Sequence, residues 1–166
     1  MRALRYISIN TPVGEFNIII NHEEVALDSG FGAIGELAKR LPFMAEGFTL
    51  SVDRGHQYER VVRMYFAGQG SSLDEIDSSQ SGSEFQEDVW RSISEIPYGE
   101  TASYKELAEK LGRPVAVRAL GSACGANRLV LIVPCHRVVK FDGGLGQYLY
   151  GEDIKSYLLK LEGVQG

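Results

Sequence analysis

Residues 132–140, IVPCHRVVK, place a cysteine beside a histidine just after a proline that ends an apolar run. Cys135 has three chemical uses open to it. As a thiolate it is a nucleophile, with partner donors it is a metal ligand, and as a neutral thiol it is a small buried hydrophobe. Metal binding finds little support, because His22, His56 and His136 are scattered and no CxxC or HxxxH spacing occurs. A nucleophile finds more. His136 adjoins the thiol, Arg137 brings a cation near, and Glu162 ends a later helical stretch that could fold back. Cations and a general base ease removal of a thiol proton. Neighbouring side chains of an extended chain point apart. His136 is therefore expected to reach Cys135 through a bridging water, with Glu162 orienting the imidazole.

The elements that must position these residues follow from periodicity. The stretch LRYISINTPVGEFNIIINHEEVALDS is β-rich and breaks at Thr11–Gly14 and near His22, which predicts a hairpin or meander. Ile34, Leu37, Ala38 and Leu41 recur at helical spacing, FTLSV (48–52) reads as a strand, and QYERVVRMYF (57–66) as a helix stopped near Gly68. Residues 68–83, rich in Ser, Gly and Asp, predict a linker. This divides the chain into domains 1–80 and 81–166. Beyond it, Ser83 with Gln86 and Ser103 with Glu106 match capping boxes at two helix starts. Pro114 suits the first turn of a third helix, RPVAVRALGSACGAN. Tyr104–Leu111 and this helix, joined by Gly-Arg-Pro, form a helix-turn-helix pattern. In the last helix Ile154, Leu158 and Leu161 are in register.

The third helix has two faces. Ala116, Leu120 and Ala123 make an apolar one; Arg118, Gly121, Ser122 and Gly125 make one with little bulk beyond a single arginine. Each glycine costs about 1 kcal/mol relative to alanine inside a helix. Close packing on another helix is one reason to tolerate that cost, and close approach to a nucleic-acid backbone is another. The charge pattern favours the second. The net charge is −5, yet residues 113–141 carry Arg113, Arg118, Arg128, Arg137 and Lys140 with no acid. A lone arginine on a smooth face suits groove insertion better than base readout.

Composition bounds the rest. The 166 residues are 44% hydrophobic and 23% charged, as in a globular protein. No run approaches the roughly 18 apolar residues of a membrane span, and MRALRYISIN lacks the apolar core of a secretory signal. Two cysteines exclude a disulfide scaffold and point to a reducing, cytoplasmic setting.

PCHRV, with GETASY, RALG and Asn127 before it and GGLGQY and LLKLEG after it, resembles the O6-alkylguanine-DNA alkyltransferase family. The resemblance runs from about Phe85 to Gly163, and reaches the first half only through TPVG and MYFAG. It implies an RNase-H-like α/β N-terminal domain and a mainly α C-terminal domain with a winged helix-turn-helix. It implies single-turnover repair of double-stranded DNA, in which a flipped O6-alkylguanine gives its alkyl group to the protein's own cysteine. No cofactor or metal takes part, and a monomer is expected. By resemblance Cys135 is the acceptor, His136 the base acting through water, Glu162 its orienting partner, and Asn127 the brace of the active-site turn. Tyr104 steadies the leaving guanine at N3, and Arg118 fills the gap left by the flipped base. Val138 and Tyr148 form the pocket wall. Gly121, Ser122, Gly125, Arg113 and Arg128 complete the expected DNA-facing set.

Two departures stand out. Arg128 replaces the family's usual proline after the asparagine, adding a charge. Leu149 and Tyr150 stand where small loop residues are usual, which predicts poorer acceptance of O6-benzyl than of O6-methyl groups. Other readings are a cysteine hydrolase, a transcription regulator, and a damage-binding protein without transfer. The hydrolase lacks its family surroundings. The regulators sharing this domain carry an extra cysteine-rich zinc module, absent from these residues, and the presence of Cys135 disfavours the third. Cys124 is expected to be structural.

Overall fold

β1 (Arg2–Thr11) and β2 (Gly14–Ile20) form an antiparallel hairpin that turns at Thr11–Gly14, where the Thr11 hydroxyl donates to the Gly14 carbonyl at 2.6 Å. The computed structural model describes residues 2–41, 47–70 and 72–164. β2 pairs antiparallel with β3 (Ala26–Phe31), and β1 pairs parallel with β4 (Phe48–Val52), giving a sheet of order β3-β2-β1-β4. Phe16, Ile18, Ile19 and Ile20 of β2 are all buried, so this central strand is covered on both faces. On one of them Ile19 packs with Leu4, Leu37 and Leu41, the last two brought by α1 (Ile34–Ala38) and the residues after it. α2 (Gln57–Phe66) packs against β1 and buries Tyr58, Val61, Val62 and Tyr65.

Two parts of the chain depart from the sequence reading. Part of the expected linker, 68–83, is packed: Leu73 and Ile76 are buried, the Ser72 hydroxyl donates to the Val61 carbonyl at 3.0 Å, and Ser78 bridges to Ala26. Its two aliphatic side chains outweigh its Ser and Gly content. Ser71, within that stretch, lies outside the described residues, as do residues 1, 42–46, 165 and 166 of the expected domains. The chain forms two compact units, one of residues 1–80 with 128–132, the other of residues 81–127 with 133–166. Residues 128–132, expected in the second domain, thus belong to the first unit. Their apolar run lies beside β3, where Ser29 N donates to the Arg128 carbonyl at 2.8 Å and Ser29 Oγ to the Val130 carbonyl at 2.8 Å. The run buries Leu129, Val130 and Leu131.

The second unit is mainly helical. α3 (Glu84–Ser94) opens on the Ser83–Gln86 capping box, and α4 (Tyr104–Lys110) on that of Ser103 and Glu106. Each box satisfies two otherwise orphaned donors at a helix start. α5 is Val117–Gly125; its start lies three residues past Pro114, because residues 113–116 form a separate turn with Ala116 N donating to the Arg113 carbonyl. Trp90 Nε1 donates to the Ala123 carbonyl at 2.8 Å and fixes α3 on α5. β5 (Ala102–Ser103) and β6 (Val138–Val139) pair in parallel. α6 (Glu152–Leu161) turns Lys155, Leu158 and Leu159 inward, a stripe rotated from the expected Ile154, Leu158 and Leu161.

Candidate active site

Cys135 opens a single 3-10 turn, Cys135–Arg137, directly after Pro134. Its amide donates to the Val133 carbonyl at 2.8 Å, a tight bend that presents the side chain. Asn127, two residues past α5 and buried, donates from Nδ2 to the same carbonyl at 3.0 Å and to Cys135 Sγ at 3.3 Å. One amide group therefore fixes the turn and points an N–H at the sulfur.

His136 and Glu162 are fully and almost fully buried, and His136 Nε2 lies 2.7 Å from Glu162 Oε2. A carboxylate can only accept, so the imidazole proton sits on Nε2 and Nδ1 keeps its lone pair. Nδ1 is buried and has no hydrogen-bond partner among the described residues. Burial holds the His136 pKa below the usual imidazole range, although Glu162 pulls the other way. Arg137 donates to the same carboxylate, Nε to Oε1 at 2.7 Å and Nη2 to Oε2 at 3.2 Å, and its Nη1 donates to the Ile96 carbonyl at 2.8 Å. Arg137 was expected to be a cation near the thiol within a basic surface. It is instead a buried partner of Glu162, because the carboxylate needs a second charge-assisted donor in a dry site.

Cys124, read from sequence as structural packing, lies against the reactive position. Cys135 Sγ is 3.7 Å from the Cys124 carbonyl oxygen. The neighbouring Cys124 thiol, with burial, pushes the Cys135 thiol well above the usual range, while the Asn127 N–H and the Lys155 charge pull it down. The Cys135 thiol in turn lowers the Cys124 pKa. In the resting arrangement Cys135 thus keeps its proton until a base removes it.

Lys155 is the residue that sequence reasoning missed. It is fully buried, donates from Nζ to the Val138 carbonyl at 2.6 Å and to the Gln147 carbonyl at 3.2 Å, and stands 5.9 Å from the centre of the Tyr104 ring. Burial lowers its pKa to about 8. Its place at i−3 to Leu158 on an apolar stripe was a usable signal. The Tyr104 hydroxyl donates to the Gln147 carbonyl at 3.4 Å, and burial first, then the neighbouring thiols, raise its pKa to about 12. It is therefore a proton carrier at neutral pH. Gly146, with φ +78°, lies against this tyrosine: an added Cβ would be 3.0 Å from Tyr104 Cε2. Tyr148 is half-buried, its hydroxyl is buried without a hydrogen-bond partner among the described residues, and its ring meets Tyr150 edge-on at 6.0 Å.

Two expected residues have other surroundings. Leu149 is 57% exposed, and the rings on either side of it, Tyr148 and Tyr150, meet edge-on. Arg128 lies in the first unit, where its amide donates to Gln80 Oε1 at 3.0 Å and its charge acts on buried Asp28. On α5, Arg118, Ser122 and Gly125 are exposed and Gly121 is half-buried. A Cβ built on Gly121 or Gly125 would meet nothing within 4 Å, which removes close helix packing within the chain as the reason for these glycines. Arg113 is exposed and lies over the Phe85 ring at 5.2 Å. Among the described residues no group of three or more His, Cys, Asp or Glu side chains could hold a metal ion, and no helix is long and apolar enough to cross a membrane.

Comparison with known proteins gives a consistent set. Residues 84–164 match the family described as 6-O-methylguanine DNA methyltransferase, DNA binding domain. A methylated-DNA–protein-cysteine methyltransferase of Methanosarcina acetivorans is 49% identical over 104 residues, 63% of this chain and 66% of that relative, so the match spans just under two thirds of its length. A probable methylated-DNA–protein-cysteine methyltransferase of Acanthamoeba polyphaga mimivirus is 48% identical over 103 residues, 61% of this chain and 67% of the relative. The crystal structure of Mycobacterium tuberculosis OGT in complex with DNA superposes with a TM-score of 0.78 at 33% identity, covering 95% of this chain and 92% of that one.

Proposed function

Since the chain belongs to the 6-O-methylguanine DNA methyltransferase family, we propose that it repairs O6-alkylguanine in duplex DNA by moving the alkyl group to its own Cys135, once per molecule. In this reading the first unit is an RNase-H-like domain. α4 and α5 are a helix-turn-helix that, with its wing, docks on the duplex. Arg118 enters the groove as the damaged base is flipped into the pocket. The free thiols suit a reducing, cytoplasmic setting.

The chemistry follows from the chain's own groups. The Cys135 proton passes through a water to His136 Nδ1 while Glu162 and Arg137 hold the ring. The sulfur, steadied by the Asn127 N–H, attacks the alkyl carbon, and the bond from that carbon to O6 breaks. Tyr104 offers its hydroxyl proton to N3 of the departing guanine, which neutralises the anion as it forms. Lys155 holds the Val138 and Gln147 carbonyls around this pocket. The product is an S-alkyl thioether, which does not turn over.

The observation that carries this reading is the His136–Glu162 pair, which leaves a buried Nδ1 lone pair one residue from the thiol. The test is Cys135→Ser. The variant is expected to bind duplex DNA and to remove no methyl group from O6-methylguanine; residual stoichiometric removal would contradict the assignment. Binding of damaged DNA without transfer is the second reading, favoured by the upward push that Cys124 gives the Cys135 thiol.

A further inference from the structure

The alkyl-transfer mechanism uses one of the chain's two cysteines, and the other lies against it. Cys124 is the penultimate residue of α5, in the turn that leads to Asn127, while Cys135 sits in the bend that Asn127 braces. One amide side chain thus ties together the two backbone segments that carry the sulfurs. Cys135 Sγ reaches the Cys124 carbonyl at 3.7 Å, and each thiol shifts the titration of the other. Both are half-buried free thiols. Packing alone accounts for a small apolar side chain at position 124, but not for a second ionisable sulfur on the residue whose backbone the first one meets.

We infer that Cys124 and Cys135 form a peroxide-reactive thiol pair that closes to an intramolecular disulfide, a modification site that keeps the acceptor sulfur recoverable. In the first step the Cys135 thiolate attacks one oxygen of hydrogen peroxide. The O–O bond breaks, one water leaves after proton uptake, and Cys135 becomes a sulfenic acid. In the second step the Cys124 sulfur attacks that sulfur. The S–O bond breaks, the thiol proton leaves with the hydroxide as a second water, and the disulfide forms. The two thiols lose two electrons and two protons, and the peroxide is reduced to two waters. A dithiol reverses the process by exchange. Without Cys124, the sulfenic acid has no neighbouring thiol and proceeds to sulfinic and sulfonic acids, which a dithiol does not reduce. While the disulfide stands, Cys135 has no thiolate to attack an alkyl carbon. This last consequence rests on the proposed transfer; the disulfide itself does not.

Trypsin separates the two sulfurs, since Arg118, Arg128 and Arg137 bracket ALGSACGANR and LVLIVPCHR. The full chain is treated with hydrogen peroxide, blocked with N-ethylmaleimide and digested without reductant. The expected result is a linked ALGSACGANR–LVLIVPCHR pair, lighter by two hydrogens than its thiols, from monomeric protein. Dithiothreitol should restore full methyl acceptance to intact, undigested peroxide-treated protein but not to peroxide-treated Cys124→Ser. Three results would overturn the inference: sulfinic or sulfonic Cys135 with Cys124 still labelled, a linkage between two copies, or equal recovery of variant and parent. Failure of untreated protein to accept a methyl group, with the linked pair still forming, would instead refute the repair reading.

Discussion

Replacing Glu162 with glutamine removes one charge and inverts one hydrogen-bonding group at the centre of the second unit. Glu162 Oε1 accepts from Arg137 Nε, while Oε2 accepts from His136 Nε2 and Arg137 Nη2. An amide offers one oxygen and one NH2 group. With its oxygen kept on Arg137 Nε, the NH2 faces His136 Nε2, and two donors meet. The imidazole relieves this by moving its proton to Nδ1, which ends the role of Nδ1 as a proton acceptor. Two magnitudes follow. Breaking a buried ion pair costs about 3–5 kcal/mol, and glutamine keeps the volume and part of the hydrogen bonding, so about 3 kcal/mol is expected, a large share of the roughly 5–15 kcal/mol of a typical domain. Loss of a general base slows transfer by about 10²–10⁴-fold. The assays are urea unfolding and single-turnover methylation of Cys135 across pH. In the parent the rate should fall as pH drops through the depressed His136 pKa, and this acid limb should vanish in Glu162→Gln. Stability has the same sign: unfolded His136 takes a proton below about 6.5 while the folded ring resists it, so the native state loses stability as pH falls below that value. A variant within about threefold of the parent rate, with the acid limb intact, would refute the argument that Glu162 sets the tautomer.

Other perturbations read neighbouring parts of the site. Cys124→Ala is expected to keep transfer to one equivalent, and its rate–pH profile should move to lower pH, because the neighbouring thiol that raises the Cys135 pKa is gone; an unmoved profile would mean the thiols do not interact. Gly146→Ala places a Cβ 3.0 Å from Tyr104 Cε2 at a backbone φ of +78°. A loss of roughly 1–3 kcal/mol in thermal unfolding is expected, with slower transfer from the displaced tyrosine. Arg118→Ala on the open α5 face should leave stability within about 0.5 kcal/mol and weaken duplex binding. A salt dependence of binding equal to the parent's would remove Arg118 from the DNA interface.

What was legible in the sequence was local or carried by motif. The capping boxes at Ser83 and Ser103 each need only four consecutive residues, and both form. The pairing of His136 with Glu162 was readable because an acid at the end of an apolar helical stripe has one face to offer. What escaped depends on contacts distant in sequence. Lys155 is held by the Val138 and Gln147 carbonyls, which lie outside its own helix. The contact between Cys124 and Cys135 needs the bend at Pro134 and the Asn127 brace together. Residues 129–132 read as one apolar run with Val133, yet Leu131 takes a φ of +71°, and residues 128–132 join the first unit beside β3. Arg137 and Arg128 show how a charge run misleads: of the acid-free segment, Arg137 is buried on Glu162 and Arg128 stands beside Asp28 in the first unit. The expected discrimination against O6-benzyl groups rests on Leu149 and Tyr150, of which Leu149 is exposed and Tyr150 meets the Tyr148 ring edge-on.

The central claim is that Cys135 is consumed as an alkyl acceptor. Its most direct measurement is the mass of the tryptic peptide LVLIVPCHR after incubation with duplex DNA containing a single O6-methylguanine. The account predicts a peptide heavier by one methyl group in place of the thiol hydrogen, one per protein molecule, with unmodified guanine left in the DNA. An unmodified peptide alongside persistent O6-methylguanine, or removal of more methyl groups than there are protein molecules, would contradict it.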